Sequence, residues 1–252
     1  MTYTEVFQDA AAVDKYADVV YAPGSYGDIV SARQRRYLRA LVAREFPYRR
    51  PVHHDFACGA GRGLAMLDGL TRQAHGYDTS RPMLERAKAD GVLATLHEVP
   101  ADGPVPTPAP AEGPALVTML RLLLNVEPAV RERALAFAAA ALPRPEAGLL
   151  VVENHGNRDS LRRLGARRRA GHRWFAELSH SQVGELLARH GFVIERRRGV
   201  TWFPRGWYGR PWLRAAVRPL DALGARLGWL NRYAVTVLYV ARRAAPSSCP
   251  GR

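Results

Sequence analysis

The glycine run at 54–63, His-Asp-Phe-Ala-Cys-Gly-Ala-Gly-Arg-Gly, constrains this chain more than any other stretch. It ends a predicted strand at 52–58 and leads into a predicted helix at 64–70, so it reads as a strand–turn–helix junction. Glycines there let the backbone turn tightly and come close to a ligand. Their spacing discriminates. Dinucleotide sites use G-x-G-x-x-G, which seats a pyrophosphate on the helix N-terminus. Here the pattern is G-x-G-x-G, with Asp55 four residues ahead of Gly59. Asp78 ends the next predicted strand, 19 residues after Gly59, where a carboxylate can accept both hydroxyls of a ribose. A loop without a pyrophosphate cradle and with acids nearby suits a cationic amino-acid nucleoside better than a dinucleotide.

Around this junction the chain alternates short apolar runs with helical patterns, the signature of βαβ units and a parallel sheet. Two helices come first, at 3–20 and at 28–45. The second takes Asp28 as N-cap and Ile29, Tyr37, Leu38 and Leu41 as part of its buried stripe. The Pro-Gly turn at 21–27 lies between them. Strands follow at 52–58, 74–78, 93–99, 115–120, 149–153 and 192–196, with helices at 81–90, 127–142 and 181–190. The Pro-rich stretch 100–114 excludes regular structure. Segment 233–240 is a strongly β-patterned last strand. The expected fold class is α/β, a doubly wound sheet. Residues 1–50 are read as a helical lid and 51–252 as the main domain, with insertions near 154–180 and 199–231.

The motifs resemble those of class I S-adenosylmethionine-dependent methyltransferases. The stretch Asp55 to Gly63 is similar to that family's D-x-G-C-G-x-G-x-G, with Ala57 in place of the first glycine. Gly76-Tyr77-Asp78-Thr79-Ser80-Arg81-Pro82-Met83-Leu84 resembles its second-strand G-x-D-x-S-x-x-M-L. Gly148-Leu149-Leu150-Val151-Val152 and Gly191-Phe192-Val193 match later strands, so the likeness covers about residues 50–200 and the last strand. The resemblance implies a seven-stranded Rossmann-like sheet, its final antiparallel strand inserted near strand six, and S-adenosyl-L-methionine as cofactor. It implies that Asp55, Ala57, Gly59, Gly61 and Gly63 line the cofactor, Asp78 takes the ribose, and Thr79 and Met83 flank the adenine. Arg121 is expected to contact the cofactor or close the site, and Tyr21, with Tyr26, to serve a lid. The family's acid for the adenine amino group is absent after strand three; Glu98 and Asp102 are the alternatives. Cys58 reads as a small buried residue beside the loop.

Methyl transfer from a sulfonium is an in-line displacement whose barrier falls by ~7–11 kcal/mol through alignment alone. An oxygen acceptor of high pKa also needs a general base. The polar run Glu153-Asn154-His155-Gly156-Asn157, at the end of strand five, makes His155 the first candidate for the catalytic base. His172 and His180 are weaker rivals, and His53 and His54, on strand one, read as structural. No metal-ligand spacing is visible, so no divalent metal is expected. The runs Arg121 to Glu127 and 154–157 look similar to bacterial methyltransferases of sugar and polysaccharide pathways. The expected activity is O-methylation of a small acceptor, a sugar or specialised metabolite, anionic or lipid-linked. The rivals are a repurposed protein that keeps the cofactor as a structural ligand, and an RNA methyltransferase.

Charge adds a constraint. Formal net charge is +14, yet residues 1–150 hold 17 basic and 17 acidic groups. The excess sits wholly in 151–252, with 20 basic against 6 acidic, which points to an anionic partner for that half. Arg162, Arg163 and Arg167 to Arg169 form one cluster, and Arg196 to Arg198 another. Four of the five tryptophans fall in 199–231. There Leu213, Val217, Leu220, Leu223, Leu227 and Leu230 recur at helical steps beside Arg210, Arg214 and Arg218. That pattern fits core packing, the cover of an acceptor pocket, or a helix on a membrane surface. Nucleic acid is the weaker partner, because no RNA motif or appended module is present. No 18-residue apolar run occurs, residues 1–16 lack a signal-peptide core, and two cysteines cannot form a disulfide framework. A cytoplasmic protein is expected, with peripheral contact at the inner membrane face as an option.

Overall fold

The computed structural model describes residues 7–110, 112–164 and 177–245. Seven strands form one sheet: β1 (Val52–Phe56), β2 (Gln73–Asp78), β3 (Thr95–Glu98), β4 (Ala115–Met119), β5 (Gly148–Asn154), β6 (Phe192–Thr201) and β7 (Thr236–Arg243). Their order is β3-β2-β1-β4-β5-β7-β6, with β7 antiparallel to both its neighbours. This is the expected sheet with its inserted last strand.

The central strands β1, β4 and β5 are buried along their whole length, as strands covered on both faces must be. Their side chains alternate between two cores. Phe56, Val117, Met119, Leu150 and Val152 point to one, shared with α5 (Pro128–Ala141) and α7 (His180–Arg189). Leu116, Leu149 and Val151 point to the other, where α2 (Tyr26–Glu45) contributes Val30, Leu38, Leu41 and Val42. The remaining helices are α1 (Ala10–Lys15), α3 (Arg62–Met66), α4 (Arg81–Ala89), α6 (Leu161–Leu164), α8 (Arg205–Tyr208) and α9 (Pro211–Arg226).

Several local expectations are corrected. The first helix is α1 followed by a π-helical turn, Tyr16–Val20. The N-cap of α2 is Ser25, whose hydroxyl accepts from the Asp28 amide at 3.1 Å. Asp28 lies inside the first turn and accepts from the Gly24 amide. Strand β6 runs to Thr201, so Arg196 and Arg198 are strand residues with partners. Arg196 pairs with Glu45 at 2.8 Å, and Arg198 donates to the Ala225 carbonyl. Arg162 and Arg163 both meet Glu177. Arg167 to Arg169 and His172 lie outside the described residues. No described helix is long and apolar enough to cross a membrane.

Candidate functional site

The chain runs from β1 through β2 to β3 on one side of the sheet and resumes with β4 on the other side. The switch leaves a crevice above the C-terminal ends of β1 and β4, where doubly wound sheets bind ligands. A cavity of about 490 Å³ opens there. Asp55, Ala57, Gly59, Gly61 and Gly63 line it from the β1 end. Asp78, Thr79 and Met83 line it from the β2 end, and Arg121 and Tyr21 from β4 and the N-terminal segment. All ten of the expected cofactor-contacting residues therefore line one cavity.

The loop's path depends on left-handed backbone at alternate residues: Ala57 at φ 59°, Gly59 at 54° and Gly61 at 77°. Only the first carries a Cβ. Among the described residues, the non-glycine positions with positive φ are Ala57 and Arg121, which follow β1 and β4 at the crevice. Strain of this kind gathers at functional sites. Gly63 matters for another reason: a Cβ there would meet Asp55 Oδ2 at 2.3 Å.

The two carboxylates are held differently. Asp78 Oδ2 accepts the Gly59 amide at 2.7 Å and Oδ1 the Ser80 amide at 2.9 Å, tying β2 to the loop. Burial still raises its pKa, against those amides. Asp55 Oδ1 accepts the Thr118 hydroxyl, whose Oγ1 lies 2.8 Å from His53 Nε2. Burial pushes the Asp55 carboxyl up to about 7, although Thr118 and Arg62 pull it down. His53 is buried and held down to about 3 by the same effect. His54 meets the Tyr77 hydroxyl at 3.2 Å. Cys58 is buried and its thiol is pushed well up, again by burial.

Opposite the loop, Glu153 at the end of β5 is buried between two arginines. Its Oε2 accepts the Arg121 amide at 2.9 Å and lies 3.9 Å from the Arg62 guanidinium. Arg62 also donates to Gln34 Oε1 at 2.7 Å and stacks under Tyr21, 5.0 Å from its ring centre. Arg121 lies under Tyr16 at 5.9 Å, and the Tyr16 and Tyr21 hydroxyls are 3.3 Å apart. Phe7 packs edge-on to Tyr16 and, with Val13, against Met83. The N-terminal segment thus roofs the cavity. Arg62, Tyr16 and Glu153 were not singled out as site residues from sequence. Arg62 sits between two loop glycines, which was a usable signal; nothing local distinguishes Tyr16.

His155 is not among the lining residues. It stands behind them near Arg121 and Arg62, with a buried Nδ1 that has no hydrogen-bond partner. Burial first, then those two cations, hold its pKa well below 6.5, so the imidazole is neutral. His180 lies elsewhere, bonded to Tyr239 and the Arg232 carbonyl. Tyr26 does not reach the cavity either; its hydroxyl meets Thr201 at 2.9 Å. Neither Glu98 nor Asp102 lines the cavity, whose rim after β3 comes from Val99 and Ala101. No group of three or more potential metal ligands occurs among the described residues.

The fit to an amino-acid nucleoside is testable on the loop itself. Gly59 faces no atom closer than Met83 Sδ at 3.8 Å from a built Cβ, so the backbone is bare at the cavity. A half-buried acid, Asp78, stands next to it. This is a cradle with the donors and acceptors such a ligand needs.

No family profile and no curated protein matches the chain in sequence. Solved structures do match in shape. Magnesium protoporphyrin IX methyltransferase from Synechocystis PCC 6803, with bound S-adenosylmethionine, superposes with a TM-score of 0.59 at 14% identity, over 96% of this chain and 95% of that one. The mitomycin 7-O-methyltransferase MmcR gives 0.58 at 15%, over 97% of this chain and 61% of its own. The [4+2]-cyclase SpnF gives 0.52 at 18%, over 83% and 82%. The chain has the fold of the class I S-adenosylmethionine-dependent methyltransferases.

Proposed function

We propose that this protein is an S-adenosylmethionine-dependent O-methyltransferase acting on a small acceptor, a sugar or specialised metabolite with an anionic or lipid-linked handle. One observation carries the reading: the ten residues implied by the sequence resemblance share a single cavity at the switch point of the sheet. S-adenosylmethionine, when bound, supplies a methyl group on a sulfonium that leaves without further activation. Gly59, Gly61 and Gly63 would hold it by bare backbone, Asp78 would take its ribose, and Thr79 and Met83 would flank the adenine. Arg62 and Arg121 both line the cavity at that end, a setting that suits a carboxylate-bearing ligand. The Tyr16–Tyr21 roof excludes water and aligns the reactants.

His155 is assigned as the base that takes the acceptor's proton. Its support is its place beside Arg121, with a buried Nδ1 that has no hydrogen-bond partner. Catalytic hydrogen bonds often tighten only once substrate is bound, so its place behind the lining does not disqualify it.

A second reading has its own support, since the [4+2]-cyclase SpnF shows that this fold is not confined to proteins named as methyltransferases. Calorimetric titration with S-adenosylmethionine separates the cases when combined with turnover on a panel of sugar, phenol and lipid-linked acceptors. Binding lost in Asp78→Ala, with S-adenosylhomocysteine released on some acceptor, supports the proposal. Binding without turnover on any acceptor favours the repurposed protein. Equal binding by wild type and Asp78→Ala overturns the ribose assignment.

A further inference from the structure

We propose that the insertion before β7 is a docking platform for an anionic lipid bilayer. Helix α9 buries Val217, Asp221 and Gly224 on one side. Val217 packs with Ile29 and Tyr208, and Asp221 takes Arg33 and the Tyr208 hydroxyl. At 3.6 residues per turn, Trp212, Ala216, Leu220 and Leu223 fall within an arc of about 80° beside that buried face, and Leu227 follows as the C-cap. A surface helix should present polar residues there. Instead Trp212 is 69% exposed, Leu220 52% and Leu223 51%, and Trp229, just beyond the helix, is 67% exposed.

Charge identifies the occupant. Between 203 and 232 the chain carries Arg205, Arg210, Arg214, Arg218, Arg226 and Arg232, and its acidic residue there, Asp221, is buried against Arg33. The helix is therefore apolar and exposed along one arc, with Arg226 at the edge of that arc and Arg214 and Arg218 further round, and its acid is buried. Indole rings prefer the boundary between headgroups and acyl chains, and arginine pairs with anionic headgroups. This combination fits a bilayer lying in the plane of the helix, which is too short and too interrupted by Pro219 to enter it. A second copy of the chain would bring arginines against arginines.

The platform is joined to the cavity's roof. Arg214 donates to the Gly24 carbonyl at 3.4 Å, in the turn between Tyr21 and α2, and the Val217 cluster packs on α2 itself. The helix that docks would thus be tied to the turn that follows the cavity's roof. The docking inference does not depend on the methyl-transfer reading.

Sedimentation of the full chain with vesicles tests it. Wild type is expected to pellet with phosphatidylcholine vesicles containing one-third phosphatidylglycerol at 50 mM salt, with blue-shifted tryptophan emission, and to stay in solution with phosphatidylcholine alone. Leu220→Glu/Leu223→Glu and Trp212→Ser/Trp229→Ser should each lower binding at least tenfold, with unchanged circular dichroism. Tyr48→Glu, at an exposed site elsewhere, should not. Equal binding to both vesicle types, or no binding and no spectral shift in wild type, overturns the proposal. So does light scattering that shows a dimer broken by Leu220→Glu/Leu223→Glu without vesicle binding, or exclusive retention on single-stranded RNA.

Discussion

Gly63 sits so close to Asp55 that a single added methyl would come within 2.3 Å of the carboxylate oxygen. The acid of the first strand and the third glycine of the loop are thus one packing unit. Alanine at 63 must displace either α3 or the Asp55–Thr118 pair. Gly63→Ala is expected to lose about 1–3 kcal/mol in denaturant unfolding and to weaken S-adenosylmethionine binding. An unchanged midpoint would show that the loop relaxes at no cost.

Ala57 makes the opposite case. It holds φ at 59°, where a Cβ costs roughly 1–2 kcal/mol and glycine costs none of it. Ala57→Gly gives back part of this in unfolded-chain entropy, so the net gain should be about 0.5–1 kcal/mol. Thermal unfolding reads it, as a rise in Tm.

Asp55 should leave a mark on the pH dependence of stability. Its carboxyl ionises near 7 in the fold and near 3.8 in the unfolded chain. Between those values the native state holds the extra proton, so this group makes stability fall as pH rises from about 4 to about 7, and adds nothing above. Asp55→Asn removes that slope. The variant should gain on wild type by about 2 kcal/mol or more across the window. His53 and His54 act with the reverse sign. Burial keeps them neutral down to about 3 and about 4, so their contribution is whole above 6.5 and is lost as pH falls below it.

The tyrosine roof separates into ring and hydroxyl. Tyr21→Phe keeps the ring over Arg62 and loses only the 3.3 Å contact with Tyr16. Tyr21→Ala loses both. With a cation–ring contact of about 1 kcal/mol, cofactor affinity should drop roughly five- to tenfold in the alanine variant and little in the phenylalanine one. Titration calorimetry distinguishes them.

For His155 the expected signature is kinetic. His155→Gln should reduce kcat by about 10²-fold or more with little change in KM. Because burial holds the imidazole well below 6.5, wild-type kcat should be level from pH 6 to 8 and fall only in more acid solution. A kcat that His155→Gln leaves intact removes the base assignment.

Much of the fold and one wall of the site were legible in the sequence, because both rest on local signals. Strand–glycine–helix spacing placed Gly59 to Gly63, and the end of a β-run placed Asp78. What escaped notice depends on distance along the chain. Tyr16 reaches Arg121 across more than a hundred residues, and no pattern in either segment announces it. Asp28 carried a helix-start signal, yet Ser25, three residues earlier, won the cap because its hydroxyl reaches the Asp28 amide. The leucines of α9 show helical periodicity, but periodicity alone does not say which side of a helix faces the protein.

Strand β7 lies between β5 and β6, though it follows both in the chain. During synthesis, a chain that has emerged through β6 therefore holds a five-stranded parallel sheet with an open edge at β5, and a sixth strand with nothing to pair with. Neither edge is satisfied until residues 236–243 arrive and zip to both at once. Until then two unpaired backbones stand ready to join other strands. Completion of this sheet is a late, long-range event, and the interval before it is when the nascent protein is most exposed to misassembly.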